Sequence, residues 1–284
     1  MSRTVYVNGQ WLPEHEARVS VFDRGFLFAD AIYEVTAVVG GKLIDYEGHS
    51  NRLKRSLASL AIPLPVSEED LLALHREIVL RNAMKEGLIY LQVSRGEQDR
   101  DFLFSNDLKP TFVMFTQARK VLNNPKWGTG ISVVTMPEGR WEQRQIKTVQ
   151  LLYSSLAKME AQRQGADDAF FVENGIITEA SSSNAHIVTK TGTLVTRELS
   201  NALLHGITRG SIIDLARLLG LSVEERGFTT QEALNAAEVL ITSATNFVMP
   251  VVKVDGHPIR DGKPGPVSQR LLQAYIESRL ATAI

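Results

Sequence analysis

The sequence predicts an α+β fold in two domains, and three observations carry that expectation. Short strand-like runs are frequent, and the helices fall among them irregularly instead of following every strand. That pattern argues for α+β layers and against a doubly wound parallel sheet. No G-x-G-x-x-G, G-x-x-x-x-G-K-[ST] or G-x-S-x-G occurs, so the commonest nucleotide and hydrolase signatures are missing. Length is the third observation: 284 residues exceed a typical single domain and allow a sizeable core.

Bulk properties narrow the class further. Hydrophobic residues make up 44% and charged residues 22%, which is ordinary globular composition. A formal net charge of −1, with no basic stripe, gives no nucleic-acid footprint. Cysteine is absent, which excludes disulfides and thiolate metal sites and is compatible with a reducing compartment. The six histidines are scattered without metal-ligand spacing. The opening "MSRTVYVNGQWL" lacks the apolar region of a secretory signal. No stretch approaches the roughly eighteen apolar residues that a membrane span needs. A soluble, cytoplasmic protein is expected.

The elements follow in order. "VYVNGQWL" reads as strand, turn, strand. "NRLKRSLASLAI" sets Leu53, Leu57 and Leu60 on one helical face. Ser67 opens the next helix with a capping-box pattern, "SEED", ahead of Leu71, Leu74 and Ile78. "LIYLQV" and "TFVMFT" read as core strands. The turn-rich "VLNNPKWG" marks a linker, so the expected first domain covers 1–119, the linker 120–127 and the second domain 128–284. In the second domain the reading is a strand over 131–136, a helix over 148–164 and a hairpin "AFFVENGIITE", whose Asn174-Gly175 suits a type I′ turn. Another hairpin runs through "IVTKTGTLVT". Helices near 207–219, 230–237 and 267–281 alternate with strands near 221–226, 238–243 and 247–254.

Five stretches hold candidate chemistry. Lys147 in "RQIKTVQLL" sits before the expected helix with apolar positions Leu152, Leu156 and Met159, where the macrodipole offers a cation nothing. A desolvated lysine amine is a nucleophile that forms Schiff bases; a solvated loop lysine is the plain alternative. Glu179, ahead of Ala180 and a run of serines, either holds a protonated heterocycle or belongs to an ordinary serine-rich turn. "HGITRG" places Gly206 before a helix starting near Ile207, with Thr208 and Arg209 at its entrance. That arrangement is a phosphate site or a Thr-capped helix. Ser243, Ala244 and Thr245 end an apolar strand and can offer backbone amides to an anion. Finally, "YLQVSRGEQDRDFLF" follows a strand with Arg95 and Arg100, then Phe102 and Phe104, an aromatic pair of little use to a solvated loop.

Taken together and in this order, these stretches resemble the fold-type IV pyridoxal-phosphate enzymes, the class IV aminotransferases, and most closely their D-amino-acid aminotransferase branch. The likeness runs nearly end to end, from "VYVNGQWLPEHEARVSVFDRGFLFADAIYEV" through "GHSNRLKRS", "YLQVSRG", "IKTVQLL", "GIITEASSSN", "HGITRG" and "LITSAT" to "VDGHPIRDGKPG". It implies the two-domain fold of that class, with the active site in the cleft between the domains, and pyridoxal 5′-phosphate as cofactor. By the same resemblance Lys147 is the Schiff-base lysine and proton shuttle, and Glu179 pairs with the pyridine nitrogen. Arg52 binds the phosphate, shared with Ile207, Thr208 and the turn at Ser243 and Ala244, while Leu204 packs on the ring. Ala244 stands where the family often has a hydroxyl, leaving only its backbone N–H.

On the substrate side, the resemblance puts Tyr33 near the substrate carboxylate and has Arg100 reach that carboxylate across a homodimer interface. Phe102 occupies the place of a histidine in characterised relatives, so one donor of the expected carboxylate trap is missing. Arg100 is otherwise a solvated loop residue or a partner of Asp99 or Asp101. The implied reaction is ping-pong transamination between a D-amino acid such as D-alanine and a 2-oxo acid such as 2-oxoglutarate. Within the same resemblance the alternatives are a branched-chain L-amino-acid aminotransferase, an (R)-selective amine transaminase, an aminodeoxychorismate lyase and a non-catalytic cofactor-binding protein.

Overall fold

A computed structural model describes residues 2–284. The chain forms two compact units. The first takes the residues up to Leu122 together with Ile146–Gln150 and Thr282–Ile284; the second takes Asn123–Gln145 and Leu151–Ala281.

The first unit contains strands β1 (Thr4–Val7), β2 (Gln10–Pro13), β3 (Ala31–Val39), β4 (Lys42–Leu43), β5 (Glu86–Ser94) and β6 (Thr111–Ala118), with helices α1 (Arg24–Phe28), α2 (Tyr46–Ser59) and α3 (Glu68–Arg81). The strands form one antiparallel sheet in the order β2-β1-β6-β5-β3-β4. Asn8 and Gly9 both take positive φ between β1 and β2, as a two-residue hairpin turn requires. Period-two alternation sorts the sheet into two faces. Ile32, Glu34, Thr36, Ile89, Leu91 and Val93 are fully buried, while Tyr33, Val35, Tyr90 and Gln92 on the other face are half-buried. Helix α2 packs against β3 through the face expected from its leucines. Leu53 and Leu57 are buried, and Leu60 falls at the C-cap. Ser67 caps α3 by accepting the Asp70 N–H, and its own hydroxyl donates to the Asp70 carboxylate.

The second unit contains α4 (Lys126–Thr129), β7 (Ile131–Pro137), α5 (Leu152–Arg163), β8 (Asp168–Glu173), β9 (Ile176–Ala180), β10 (Asn184–Val188), β11 (Leu194–Thr196), α6 (Ile207–Leu218), β12 (Val223–Glu225), α7 (Thr230–Asn235), β13 (Glu238–Ser243), β14 (Phe247–Val254), β15 (His257–Pro258) and α8 (Pro266–Thr282). Its nine-stranded sheet runs β12-β11-β10-β13-β14-β7-β8-β9, with β15 pairing β14. The pairs β11–β12, β14–β7 and β7–β8 are parallel. This mixed sheet bears out the α+β expectation. Phe170, Ile177, Ile187, Val195, Phe228, Val239 and Ile241 fill its core.

Strand order forces the sheet to curl. Strands β9 and β10 are five places apart in that order, which is about 24 Å across a flat sheet at strand spacing. Ala180 and Asn184 are joined by only three serines, and that stretch reaches about 14 Å at most. The sheet therefore bends until the two strands meet, and the Ala180 N–H donates to the Ser183 carbonyl at 2.7 Å across the seam. Glu179 lies at that seam. The hairpin between β8 and β9 turns on Asn174 and Gly175, both at positive φ, as expected.

One helix differs from its reading. The segment expected as helix over 148–164 becomes helical only from Leu152, and Lys147 lies in extended chain, not at a helix entrance. Strand β4 covers only Val38 and Val39 of β3, so the other end of β3 is free to take Thr148 as a bridge partner of Ile32. Thr148 and Val149 are β-branched residues that suit the extended path, and the Val149 N–H donates to the Ala31 carbonyl at 3.1 Å. The apolar stripe of α5 also faces the other way from a core stripe. Leu152, Leu156 and Met159 are exposed, and the buried positions are Ala157 and Ala161, packed against Phe171 and Val134.

Candidate active site

In the first unit, the segment Ile146–Gln150 brings Lys147 to Tyr33. The Tyr33 N–H donates to the Lys147 carbonyl at 3.0 Å, and the Lys147 N–H donates to Ser56 Oγ at 3.4 Å. The Lys147 ammonium Nζ lies 4.2 Å from the centre of the Tyr33 ring, a cation–π contact. Tyr33 stacks on Tyr90, which stacks on Phe115. This aromatic row holds the lysine against the half-buried face of the sheet.

Arg52 occupies the fully buried face. Its Nε and one terminal nitrogen donate to the two oxygens of Glu34 at 2.7 and 2.8 Å, a bidentate fork. His49 Nδ1 lies 2.9 Å from the same carboxylate. Burial by itself would raise the Glu34 carboxyl, but the Arg52 guanidinium and its hydrogen bonds hold it well below the usual carboxylate range. Glu34 is absent from the residues that the sequence singles out. Its alternation with Tyr33 on β3, and the arginine on the covering helix, are its only signals.

The loop after β5 divides into a buried half and an exposed half. Arg95 forks onto Asp30 at 2.7 and 3.1 Å and donates to the Leu60 carbonyl, a structural clamp. Buried Arg24 also reaches Asp30, at 3.0 Å, and donates to the Asp101 carbonyl at 2.7 Å, pinning the loop. Phe104 lies over both guanidinium groups. Arg100 is exposed and forms no hydrogen bond or ion pair among the described residues, with Asp99 and Asp101 included. The rings of Phe28 and Phe102 lie 5.6 and 5.7 Å from its guanidinium carbon. Phe102 itself is 77% exposed.

In the second unit, Glu179 is buried at the end of β9 and fully ligated. Arg140 donates to one oxygen at 2.6 Å, Asn184 Nδ2 to the other at 3.1 Å, and the Leu204 N–H reaches both at 3.3 Å. Burial pushes its carboxyl up, and the Arg140 guanidinium pulls against that rise. Asn184 also donates to the Leu204 carbonyl at 2.8 Å, so it ties the serine turn to the chain ahead of α6. Sequence reading misses Arg140 and Asn184. Asn184 closes the "TEASSSN" block; Arg140 is marked only by standing two residues after Glu138.

Helix α6 begins without a side-chain cap. Gly206 is its N-cap and makes no such bond, so the Thr-capped alternative does not hold and the first amides of Ile207 and Thr208 lack an intrahelical partner. A Cβ on Gly206 would lie 1.9 Å from Asn184 Oδ1. Thr208 is buried, and helix α6 packs on β13, whose end carries Ser243. There Ser243 Oγ accepts the Asn246 N–H at 3.2 Å, and Phe247 holds a positive φ, closing the turn over Ala244 and Thr245. The hydroxyl of Ser183 is buried without a hydrogen-bond partner.

The first unit thus offers a lysine amine against an aromatic face, and the second a buried carboxylate and a helix entrance with free amides. These are parts for amine chemistry on an anionic group. The protein-family model described as amino-transferase class IV matches residues 31–254. A D-alanine aminotransferase of Bacillus licheniformis is 35% identical over 281 residues, 98% of this chain and 97% of its own. Another from Listeria monocytogenes serotype 4b is 37% identical over 275 residues, 96% of this chain and 95% of its own. Among solved structures, a T.th. branched-chain amino acid aminotransferase with pyridoxamine 5′-phosphate is 26% identical, with a TM-score of 0.90 over 99% of this chain and 95% of that one.

The chain belongs to the class IV aminotransferases, and it is a pyridoxal-phosphate-dependent aminotransferase. The residues present fit that cofactor. Free amides at Ile207 and Thr208 suit a phosphate, and the unpartnered Ser183 hydroxyl adds a donor in the same turn as Asn184, whose close approach to the helix entrance Gly206 permits. Gly206→Ala should displace Asn184 and weaken pyridoxal-phosphate binding by about tenfold or more, the cost of roughly one lost charge-assisted hydrogen bond. Equilibrium dialysis of cofactor from the variant checks this.

Proposed function

We propose that this aminotransferase moves the amino group of a D-amino acid such as D-alanine to a 2-oxo acid such as 2-oxoglutarate in a ping-pong cycle. The observation that carries this reading is Arg100, an exposed guanidinium without a hydrogen-bonding partner among the described residues, set beside Phe28 and Phe102. A guanidinium holds a carboxylate through two parallel bonds, so an amino-acid donor suits it better than a simple amine. The D-alanine aminotransferases, 35% and 37% identical over nearly the whole chain, support the same choice.

Pyridoxal phosphate supplies an aldehyde that links to amines and a ring that draws electron density from the substrate α-carbon. In the proposed roles, Lys147 would be the amine that holds the cofactor's aldehyde and the base that would carry the substrate α-proton. Tyr33 holds the Lys147 side chain over its ring. Glu179 would be the buried carboxylate that pairs with the ring nitrogen. Leu204 would pack on the ring, and its N–H orients Glu179. Arg52, forked onto Glu34, would be a phosphate ligand, as would the backbone amides of Ile207, Thr208, Ser243 and Ala244. Arg100, with Tyr33, holds the substrate carboxylate, and Phe102 replaces a polar donor with an apolar wall.

We further propose a homodimer in which Arg100 serves the partner's substrate. Exposed Phe26, Phe102 and Leu103 in the first unit, and Leu152, Leu156 and Met159 in the second, are apolar surface of the kind that marks an interface. A cytoplasmic location is proposed, with which the absence of cysteine is compatible. No helix among the described residues is long and apolar enough to cross a membrane.

Phe102 favours one second reading, an (R)-selective amine transaminase, in which an apolar wall replaces the carboxylate trap. Donor competition separates the two. D-alanine with 2-oxoglutarate should give a higher kcat/KM than L-leucine or (R)-1-phenylethylamine; the reverse order refutes the D-amino-acid assignment. Arg100→Ala should raise KM for D-alanine by about ten- to a hundredfold, the worth of a charge-assisted bond, and leave the amine unaffected. Equal effects on both would mean that the loop holds no carboxylate.

A further inference from the structure

Behind Glu179 stands a chain of alternating charges that reaches the surface. Arg140 donates to Glu179 at 2.6 Å and forks onto Glu138 through Nε at 2.9 Å and its other terminal nitrogen at 2.7 Å. Its own backbone N–H adds a third bond to Glu138 at 3.0 Å. The Thr178 hydroxyl donates to Glu138 at 2.8 Å. Arg144 Nε lies 3.7 Å from Glu138, and its far end donates to the half-exposed Glu173 at 2.9 Å. Side chains of Glu138 and Glu179 are only 1% and 4% exposed, and that of Arg140 only 14%. The Arg140 guanidinium also rests on the Phe171 ring, 4.5 Å from its centre.

Local sequence explains the arrangement. Strand β7 ends at Pro137, and Glu138 and Arg140 follow it directly, the Glu138 N–H bonding to the Val172 carbonyl of β8. The side chains of both residues are thereby directed at β9, where Thr178 and Glu179 are neighbours. One guanidinium is shared by two carboxylates, so each receives only part of its charge. Unshared, Arg140 would bind Glu179 more strongly and leave it a poorer partner for any other cation. Without Arg140, a carboxylate this deeply buried would favour the neutral acid.

We propose that Arg140 and Glu138 are a positioning pair that fixes the orientation and the charge of Glu179, with Glu138 drawing off part of Arg140 so that Glu179 keeps its capacity to pair with a protonated ring nitrogen. The inference rests on the proposed role of Glu179 but concerns a property of the protein without cofactor. The charged groups facing Glu179 among the described residues are Arg140 and, through it, Glu138, with Arg144 and Glu173 one step further out.

The test is the titration of Glu179 in the full-length protein stripped of cofactor. It is read from the carboxyl carbon-13 shift in glutamate-labelled protein and assigned with Glu179→Gln. Removing the cation in Arg140→Met should move the Glu179 midpoint up by about one to two pH units, and Arg140→Lys should recover part of that shift. Neutralising the competitor in Glu138→Gln should move the midpoint down, because Arg140 is then left to Glu179. A purely structural role predicts no shift, or shifts of the same sign in both variants, and either result overturns the proposal. Should one variant fail to fold, the sign observed in the other still decides. Pyridoxal-phosphate affinity of Glu179→Gln tests the cofactor role separately: unchanged affinity removes that role without touching the apoprotein titrations.

Discussion

Lys147→Ala is expected to lower turnover by on the order of 10⁴-fold, the upper range for loss of a positioned general base, while leaving the fold intact. The two halves of that expectation come from different atoms. What ties residue 147 to the sheet is main chain: its carbonyl accepts the Tyr33 N–H and its N–H reaches Ser56. Alanine preserves both bonds. The side chain contributes a cation over the Tyr33 ring, worth about 0.5–1 kcal/mol where exposed and more when desolvated. The melting temperature should therefore shift by only a few degrees while the visible absorbance of lysine-bound cofactor and the reaction disappear together. A variant that keeps either one would remove Lys147 from the chemistry.

Glu34→Gln is expected to cost about 3–5 kcal/mol of stability, the penalty for leaving one member of a buried ion pair unmatched. Arg52 is 4% exposed and His49 equally buried, so neither can turn to water when the anion goes. The pH dependence carries a sign. Because Arg52 holds the Glu34 carboxyl well below the ordinary range, the unfolded chain takes up its proton first, at roughly pH 4.3 for a free glutamate. The stability that Glu34 contributes is thus fully present above about pH 5 and drains away as pH falls. Urea unfolding of wild type and variant from pH 7 down to about pH 3 should show curves that converge toward acid, by about 2 kcal/mol at the acid end. A gap that stays constant over this range would mean that Glu34 carries no charge-linked stability.

Much of this architecture is legible in the sequence, and what is not has identifiable causes. The leucines of α2, the Ser67 cap and the Asn174-Gly175 turn act locally, through periodicity, capping and backbone sterics, so residue order alone reveals them. Lys147 reads as a helix-entrance residue because its extended path depends on a free stretch of β3 more than a hundred residues earlier, and propensity cannot sense a distant edge. The stripe Leu152, Leu156 and Met159 has helical period, but periodicity does not say which face is covered, and here alanines make the core contact. Phe102 and Phe104 are alike in sequence, yet Phe104 lies over the buried Arg24 and Arg95 whereas Phe102 stands exposed beside Arg100.

The candidate site follows the same division. Lys147, Glu179, Arg52 and Gly206 sit in short motifs that hold their chemistry in one place. Arg140, Glu138, Glu34 and Asn184 act through partners on other strands and helices, and no local pattern marks them. Glu34 is like any strand glutamate except that α2 closes over it with Arg52. Arg140 acquires its partner only because the chain that leaves β7 reaches Glu179 on β9.

A single half-reaction tests the central claim most directly. The holoenzyme is mixed with excess D-alanine, or with L-alanine, in the absence of any oxo acid, and visible absorbance and pyruvate are followed together. The proposed function requires D-alanine to bleach the bound cofactor and release one pyruvate per occupied site, with L-alanine far slower. Bleaching by L-alanine at the same rate or faster, or no pyruvate from D-alanine, would contradict it.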